Sequence, residues 1–492
     1  MLLPSSSFFL SNHLTVLIEQ QNHNEQQLQY ALTRNNSAAF RHVVLNSRKG
    51  SEPWFVAQKA LAKIDANAAL SLAKWYQKQS LLLTNLSLEN YTLTKHKMEM
   101  WLEQAVRLKN IEASAILAQH YLENELLDKA KIVIQAIPKQ SMQGVLLKIK
   151  LAIATGDQSQ LQILMKKHEA NLKQTVEGQS LLNDIYKFNV LALPLESNQT
   201  DNYQSCVSSL QLFASQLSHL YKLEELVTSF REKKLSQHIC IAPIRYISNQ
   251  MLDCKTEHNL AIACDETGFS HVASTVDTRH IGIMLGEGGA NVHFGILYFD
   301  KNDSVDVFSH EITHLMGFID EYPLNEQHDA CSGIQTETFA HNISVLSPTY
   351  QGERKEVRAQ ILKQISWSKA IEKTTPILQP LAGAKKHWRL GTPKEYQHKV
   401  GLFPANSCES TLLQSQNLIQ AFKPLYQRTH LEYFEYEIPT VYLSLLAQQP
   451  KSYLMPSFHW NIALAQYLAG NTKEAKHWLS ISQSWHFKLA DN

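Results

Sequence analysis

Cysteine is absent from the first 205 residues, and all six cysteines, Cys206, Cys240, Cys254, Cys264, Cys331 and Cys408, fall after that point. An even number confined to one region reads as a disulfide-stapled domain in an oxidising compartment, which favours the periplasm or secretion. Six reduced thiols in a cytosolic protein is the alternative left open. No Cys-x-x-Cys pair occurs, which argues against a thiolate zinc site. Charge of one sign is also lacking: 46 Lys and Arg meet 45 Asp and Glu, so neither nucleic acid nor a polybasic membrane contact is expected. No apolar run reaches the length of a membrane-spanning helix. No Lys or Arg precedes Arg34, so the apolar start Met1 to Leu10 lacks the charged flank of a signal peptide, and no small-residue cleavage site follows it. With 17 Gly and 15 Pro in 492 residues and 44% hydrophobic content, the chain is globular rather than low-complexity, with room for two or three domains.

What fills the cysteine-free half is helix-forming sequence, rich in Ala, Leu, Gln and Lys from about residue 14 to 190. Asp65 to Tyr76 and Asn110 to Tyr121 share the spacing Ala-x-x-x-Leu-Ala-x-x-Tyr, and Trp101 to Arg107 reads as the second helix of such a unit. Small residues at crossing points with aromatics at the rim resemble tetratricopeptide-like hairpins, which implies a surface for a protein partner. An ordinary helical domain is the alternative. The same pattern returns at Trp460 to Gly470 and Thr472 to Ala475, with Gly470 and Asn471 as the turn. These features divide the chain into a helical repeat-like domain (1–195), a polar linker (196–205), a catalytic domain (206–455) and a C-terminal helical hairpin (456–492).

The chemistry concentrates in Ser309-His-Glu-Ile-Thr-His-Leu-Met-Gly-Phe-Ile-Asp-Glu-Tyr322. On a helix, residues four apart leave one face a turn apart, so His310 and His314 can grip a single ion. Glu311 follows His310 and is turned towards the water that a catalytic zinc would activate, where it serves as general base. Gly317 can take a positive φ, end the helix and swing the chain back, so that Asp320 arrives as third ligand. The pattern His-Glu-x-x-His-x-x-Gly-x-x-Asp is an aspartate variant of the metzincin signature. In a thermolysin-like arrangement Glu337 would be the nearest third ligand, but it lies slightly too far along. Glu321 is read as supporting the site, by orienting a histidine or closing a hydrogen-bond network, with Tyr322 beside it.

Ahead of the motif, Ile281 to Leu285 reads as a buried strand and Gly289 to Phe299 as a second one, ending at Asp300. In zincins, whose signature the motif resembles, the strand before the active-site helix lies at the sheet edge, where an extended peptide could pair with it, so a polypeptide is the expected substrate. An amphipathic helix is expected from about Leu210 to Lys234, with the β-rich region beginning at His238, and another from Glu353 to Lys373.

The motif ending in Asp320-Glu-Tyr322, an Asn342-Ile-Ser-Val345 segment, Ile365-Ser-Trp367 before Thr375-Pro-Ile377, and Gly401-Leu-Phe403 followed by Asn406-Ser-Cys408 together resemble the bacterial IgA-peptidase-like family of zinc metallopeptidases, over roughly residues 240 to 410. The resemblance implies an α+β, metzincin-like zincin domain, a twisted mixed sheet with an active-site helix. It also implies endopeptidase activity on one catalytic Zn²⁺ held by His310, His314 and Asp320, with Glu311 catalytic. Two positions depart from the family. Thr313 stands where many members have Gly, on what reads as an exposed helix position. A methionine is expected soon after Cys408 to support the site from below, yet Glu409 and Ser410 follow; Met455 is the alternative support turn, or else a core methionine. A different class of function, a helical-repeat scaffold with a non-catalytic zincin domain, is argued against by the intact Glu311.

Overall fold

In the computed structural model, which describes residues 6–83, 88–192, 206–257, 260–325, 328–409 and 419–490, the two echoing segments of the cysteine-free half fold alike. Asp65 accepts hydrogen bonds from the Asn67 and Ala68 amides and Asn110 from the Ala113 amide, so each segment starts a helix with a side-chain cap. Those helices are Ala66–Leu83 and Ile111–Glu123. Leu72, Ala73 and Tyr76 of the first and Leu117, Ala118 and Tyr121 of the second are buried in one core. The second cap also reaches the first helix, since Asn110 Nδ2 donates to Asn67 Oδ1 at 3.0 Å. The chain falls into two compact units that divide between Leu182 and Asn183, and the first is helical throughout its described length. The sequence boundary at 195 lies later because the end of the helix Val176–Lys187 bonds into the second unit: Tyr221 donates to Asp184, Lys187 pairs with Glu224 at 2.7 Å, and the Tyr246 amide donates to Phe188 O. The linker 196–205 lies outside the described residues.

The second unit is mixed α/β. Its main sheet holds β1 (Ser208–Ala214), β2 (Ile239–Ile241), β3 (Arg245–Tyr246), β6 (His280–Leu285), β7 (Asn291–His293) and β8 (Ile296–Asp300), in the order β2-β1-β6-β8-β7, with β3 also on β1. Every pair is parallel except β7 on β8. β1, β6 and β8 are buried along their whole length, as central strands of parallel sheets are. That burial corrects the first sequence boundary. Ser208 to Ala214 has no alternation to distinguish it from helix; it forms β1, and the helix expected from about Leu210 to Lys234 spans Leu217–Arg231. The helix expected from Glu353 to Lys373 likewise ends earlier, as Arg354–Lys363.

A second correction concerns the sheet edge. The single strand expected from Gly289 to Phe299 breaks at Phe294 and Gly295, both with positive φ, and folds back as the β7/β8 hairpin. A Cβ on Gly295 would stand 2.4 Å from Pro456 O, so the turn needs glycine. The strand preceding the motif helix is therefore interior, and β7 forms the edge.

The two faces of β8 separate core from site. Ile296 and Tyr298 join Phe213, Ile283, Phe458, Ile462 and Trp478 in one cluster, so the C-terminal hairpin, Phe458–Leu468 and Thr472–Ala490, is built into this unit's core. On the other face Phe299 meets Phe308 of the motif helix, which Phe230 also touches, each at 5.3 Å between ring centroids. All six cysteines are paired: Cys206–Cys240, Cys254–Cys264 across the small β4/β5 ladder (Asp253–Lys255, Ala263–Asp265), and Cys331–Cys408. No helix among the described residues is long and apolar enough to cross a membrane.

Candidate metal centre

The motif helix runs Val305–Leu315, with Ser304 Oγ capping the Val307 amide and Phe308, Ile312 and Leu315 turned into the core. It stops at Gly317, whose φ is +89°, and the Phe318 amide returns to Thr313 O at 3.1 Å. The chain then reverses. Asn342, in the Asn-Ile-Ser-Val segment, clamps the return: its Oδ1 accepts from the Ile319 amide, and its Nδ2 donates to Ile319 O and Glu321 Oε1. Ser407 Oγ donates to Asp320 O at 2.7 Å, next to the buried Cys331–Cys408 bridge, so the segment around Cys408 holds the backbone that carries Asp320.

His310, His314 and Asp320 come together with their ligand atoms all within 4.8 Å of one another. Each imidazole is fixed by a backbone carbonyl: His310 Nδ1 lies 2.9 Å from His430 O, and His314 Nδ1 lies 3.1 Å from Phe318 O. A carbonyl only accepts, so each Nδ1 carries the donated proton. Both Nε2 atoms then turn inward, 3.2 Å apart and 3.1 and 3.3 Å from Asp320 Oδ1. That oxygen is buried and has no hydrogen-bonded partner of its own. Convergent groups of this kind need positive charge among them, a proton or a metal ion, and two imidazoles with one carboxylate suit a transition metal such as zinc rather than Mg²⁺ or Ca²⁺.

The charges respond accordingly. Burial works to lower His314, but the Asp320 and Glu311 carboxylates outweigh it and raise its pKa to about 10. Burial works to raise Asp320, and the two imidazoles outweigh it and hold it below the usual carboxylate range. Below about pH 10 the triad thus holds a proton on His314 that a cation must displace. Uptake of a divalent metal at pH 7.5 should release about one proton, read as a dependence of the calorimetric heat on the ionisation enthalpy of the buffer. A heat independent of buffer would mean that no proton leaves on binding.

Glu311 is buried beside the triad, and burial raises its pKa against the pull of the two histidines. Tyr322 is 41% exposed, with its ring nearly parallel to His310 (14°, centroids 6.4 Å apart). Burial, then the Asp320 and Glu311 carboxylates, keep its phenol protonated. Glu321 touches no histidine. It is fully buried and accepts from Lys423 Nζ (2.9 Å), Thr429 Oγ1 (2.8 Å), Asn342 and Tyr442, closing a network. Removing one partner of such a buried ion pair costs about 3–5 kcal/mol. Thr313 is not on an exposed position: it is fully buried, and its hydroxyl donates to His310 O. Glu337 is exposed and lies outside the converging group. Met455 is half-buried, and its amide donates to Leu315 O at 3.1 Å, at the end of the motif helix.

Some contributors carried no sequence signal. His430 supplies a main-chain oxygen, which any residue has. Lys423 does leave a trace, as a charge closing the strand Gln420–Lys423 directly after the apolar pair Ala421 and Phe422. The edge strand is bracketed: Gly289 pairs with Leu260 and Ile262, and Asn461 Nδ2 donates to His293 O. No protein-family model, no curated protein and no solved structure matches the chain.

Proposed function

We propose that the chain is a zinc-dependent endopeptidase with a metzincin-like catalytic domain. The convergence of two imidazole Nε2 atoms and Asp320 Oδ1, with Glu311 one residue from the first ligand, carries this reading. His310, His314 and Asp320 would hold one Zn²⁺. When bound, zinc supplies Lewis acidity, lowering the pKa of water to about 7 and polarising a carbonyl. Glu311 takes the proton of the attacking water and passes it to the leaving amide nitrogen. Tyr322, a protonated and solvent-exposed phenol beside His310, donates to the oxygen on which negative charge develops.

Tyr322→Phe keeps the ring and removes that donor. It should lower kcat/KM by about 10–100-fold while leaving zinc affinity within about twofold. Wild-type kinetics in Tyr322→Phe would remove the hydroxyl from the mechanism. The enzyme reading itself is tested by zinc analysis of purified protein together with peptidase assays of wild type and Glu311→Gln on unfolded protein substrates. Equal cleavage by both would sink it.

A polypeptide fits as substrate because β7 presents a strand edge, short and bracketed, to which an extended chain can add. The three disulfides support an oxidising compartment, periplasmic or extracellular. The helical unit, with its helices packed on one core and tied by Asn110 to Asn67, would take a protein partner. A scaffold without catalysis is disfavoured by Glu311, because burying a carboxylate costs stability, as its raised pKa reflects, and a binding module has no need of a base there.

A further inference from the structure

The turn beneath the motif helix is held by a group on a different element. The Met455 amide bonds to Leu315 O, one of the carbonyls that a helix end leaves without an internal partner. Two residues earlier, Tyr453 O would lie 2.4 Å from a Cβ on Gly317. One residue later, Pro456 O presses equally close on Gly295 in the β7/β8 turn. Residues 453–456 therefore touch both the end of the helix that carries His314 and the hairpin at the sheet edge.

What fixes this turn is the oxygen of Met455. It accepts from Arg279 Nη2 at 2.8 Å, Arg279 Nε at 3.1 Å and His280 Nε2 at 3.3 Å. His280 Nδ1 lies 2.9 Å from Ser208 Oγ, which leaves Nε2 as the protonated nitrogen facing Met455. Arg279 is itself immobilised at the start of β6: its amide donates to Ser209 Oγ, its carbonyl accepts from the Phe458 amide, and Nη1 reaches Trp485 O. Arg279 as a whole is 4% exposed, and among the described residues no carboxylate pairs with it. A buried cation without a counter-charge is expensive to keep, and burial lowers this one to about 10, still charged at neutral pH. Its planar fork delivers two parallel donors to one oxygen, which an ammonium cannot do.

We propose that Arg279, acting through the main-chain oxygen of Met455, is the positioning residue for the metal centre, and that the Met455 side chain is dispensable. The proposal rests on the zinc reading of His310, His314 and Asp320. It relocates the support of the site from a thioether to a carbonyl gripped by the sheet.

Zinc affinity, measured by competition with a chromophoric chelator, tests it alongside the thermal midpoints of the apo-proteins. Arg279→Lys should weaken zinc binding about 10–100-fold at temperatures where its apo-form is folded, the size usual for groups that orient metal ligands. Met455→Leu should stay within about twofold of wild type. His280→Phe, which removes only the longest of the three donors, should weaken binding about 2–10-fold and decides the matter should Arg279→Lys fail to fold. Wild-type affinity in folded Arg279→Lys or in His280→Phe, or a larger loss in Met455→Leu than in Arg279→Lys, overturns the proposal alone. A wild-type protein that takes up no zinc overturns the enzyme reading with it.

Discussion

Glu311→Gln should reduce peptidase activity by about 10³-fold or more while the protein still carries zinc. General-base catalysis is worth about 10²–10⁴-fold, and a glutamine of the same shape cannot accept the proton. Two further signatures separate this from simple damage. Burial raises the Glu311 pKa in the metal-free protein; with the metal bound, its base form is still lost as pH falls, and the acid limb this gives the wild-type profile should vanish in the variant. The second signature is stability. A folded-state pKa above the unfolded one means that Glu311 favours the fold below its unfolded pKa and loses that contribution as pH rises through the folded value. At pH 7.5 the metal-free variant should therefore unfold at the same temperature as wild type or higher. A lower midpoint would indicate that Glu311 is a structural group.

Gly317→Ala should destabilise the second unit by about 3 kcal/mol or more and abolish measurable zinc binding. Two costs combine. A φ of +89° strains any residue with a Cβ, and that Cβ would meet Tyr453 O at 2.4 Å, a backbone atom that cannot rotate away. Relief requires moving either the helix end or the 453–456 turn, and either shift displaces His314 Nδ1 from Phe318 O. Chemical denaturation with zinc titration checks this. A variant that binds zinc as tightly as wild type would show that the helix end and the turn are not coupled.

The parts of the structure legible in the sequence are those set by neighbours along the chain. His310, Glu311 and His314 follow from helical spacing, Gly317 from the need for a positive φ, and Asp320 from its offset, all within eleven residues. The echo of Asp65 to Tyr76 in Asn110 to Tyr121 is readable for the same reason. What was missed depends on distant contacts. β1 is buried on both faces and so lacks alternation, and the break at Gly295 is forced by Pro456, far along the chain. His430 and Arg279 act through carbonyl contacts 120 and 176 residues apart in sequence, and carbonyls carry no residue identity. Glu321 was recognised as supporting the site, but its partners Lys423, Thr429 and Tyr442 were not.

That division has a kinetic corollary. The three ligand groups lie so close along the chain that the loop closed around an ion costs little entropy, and a partly folded chain can already chelate it. The carbonyls that orient the rings arrive only when residues 430 and 453–456 dock. Zinc should therefore associate before folding is complete and tighten afterwards. Because the unfolded chain competes for the ion, zinc should raise the unfolding temperature by less than its affinity for the native protein implies.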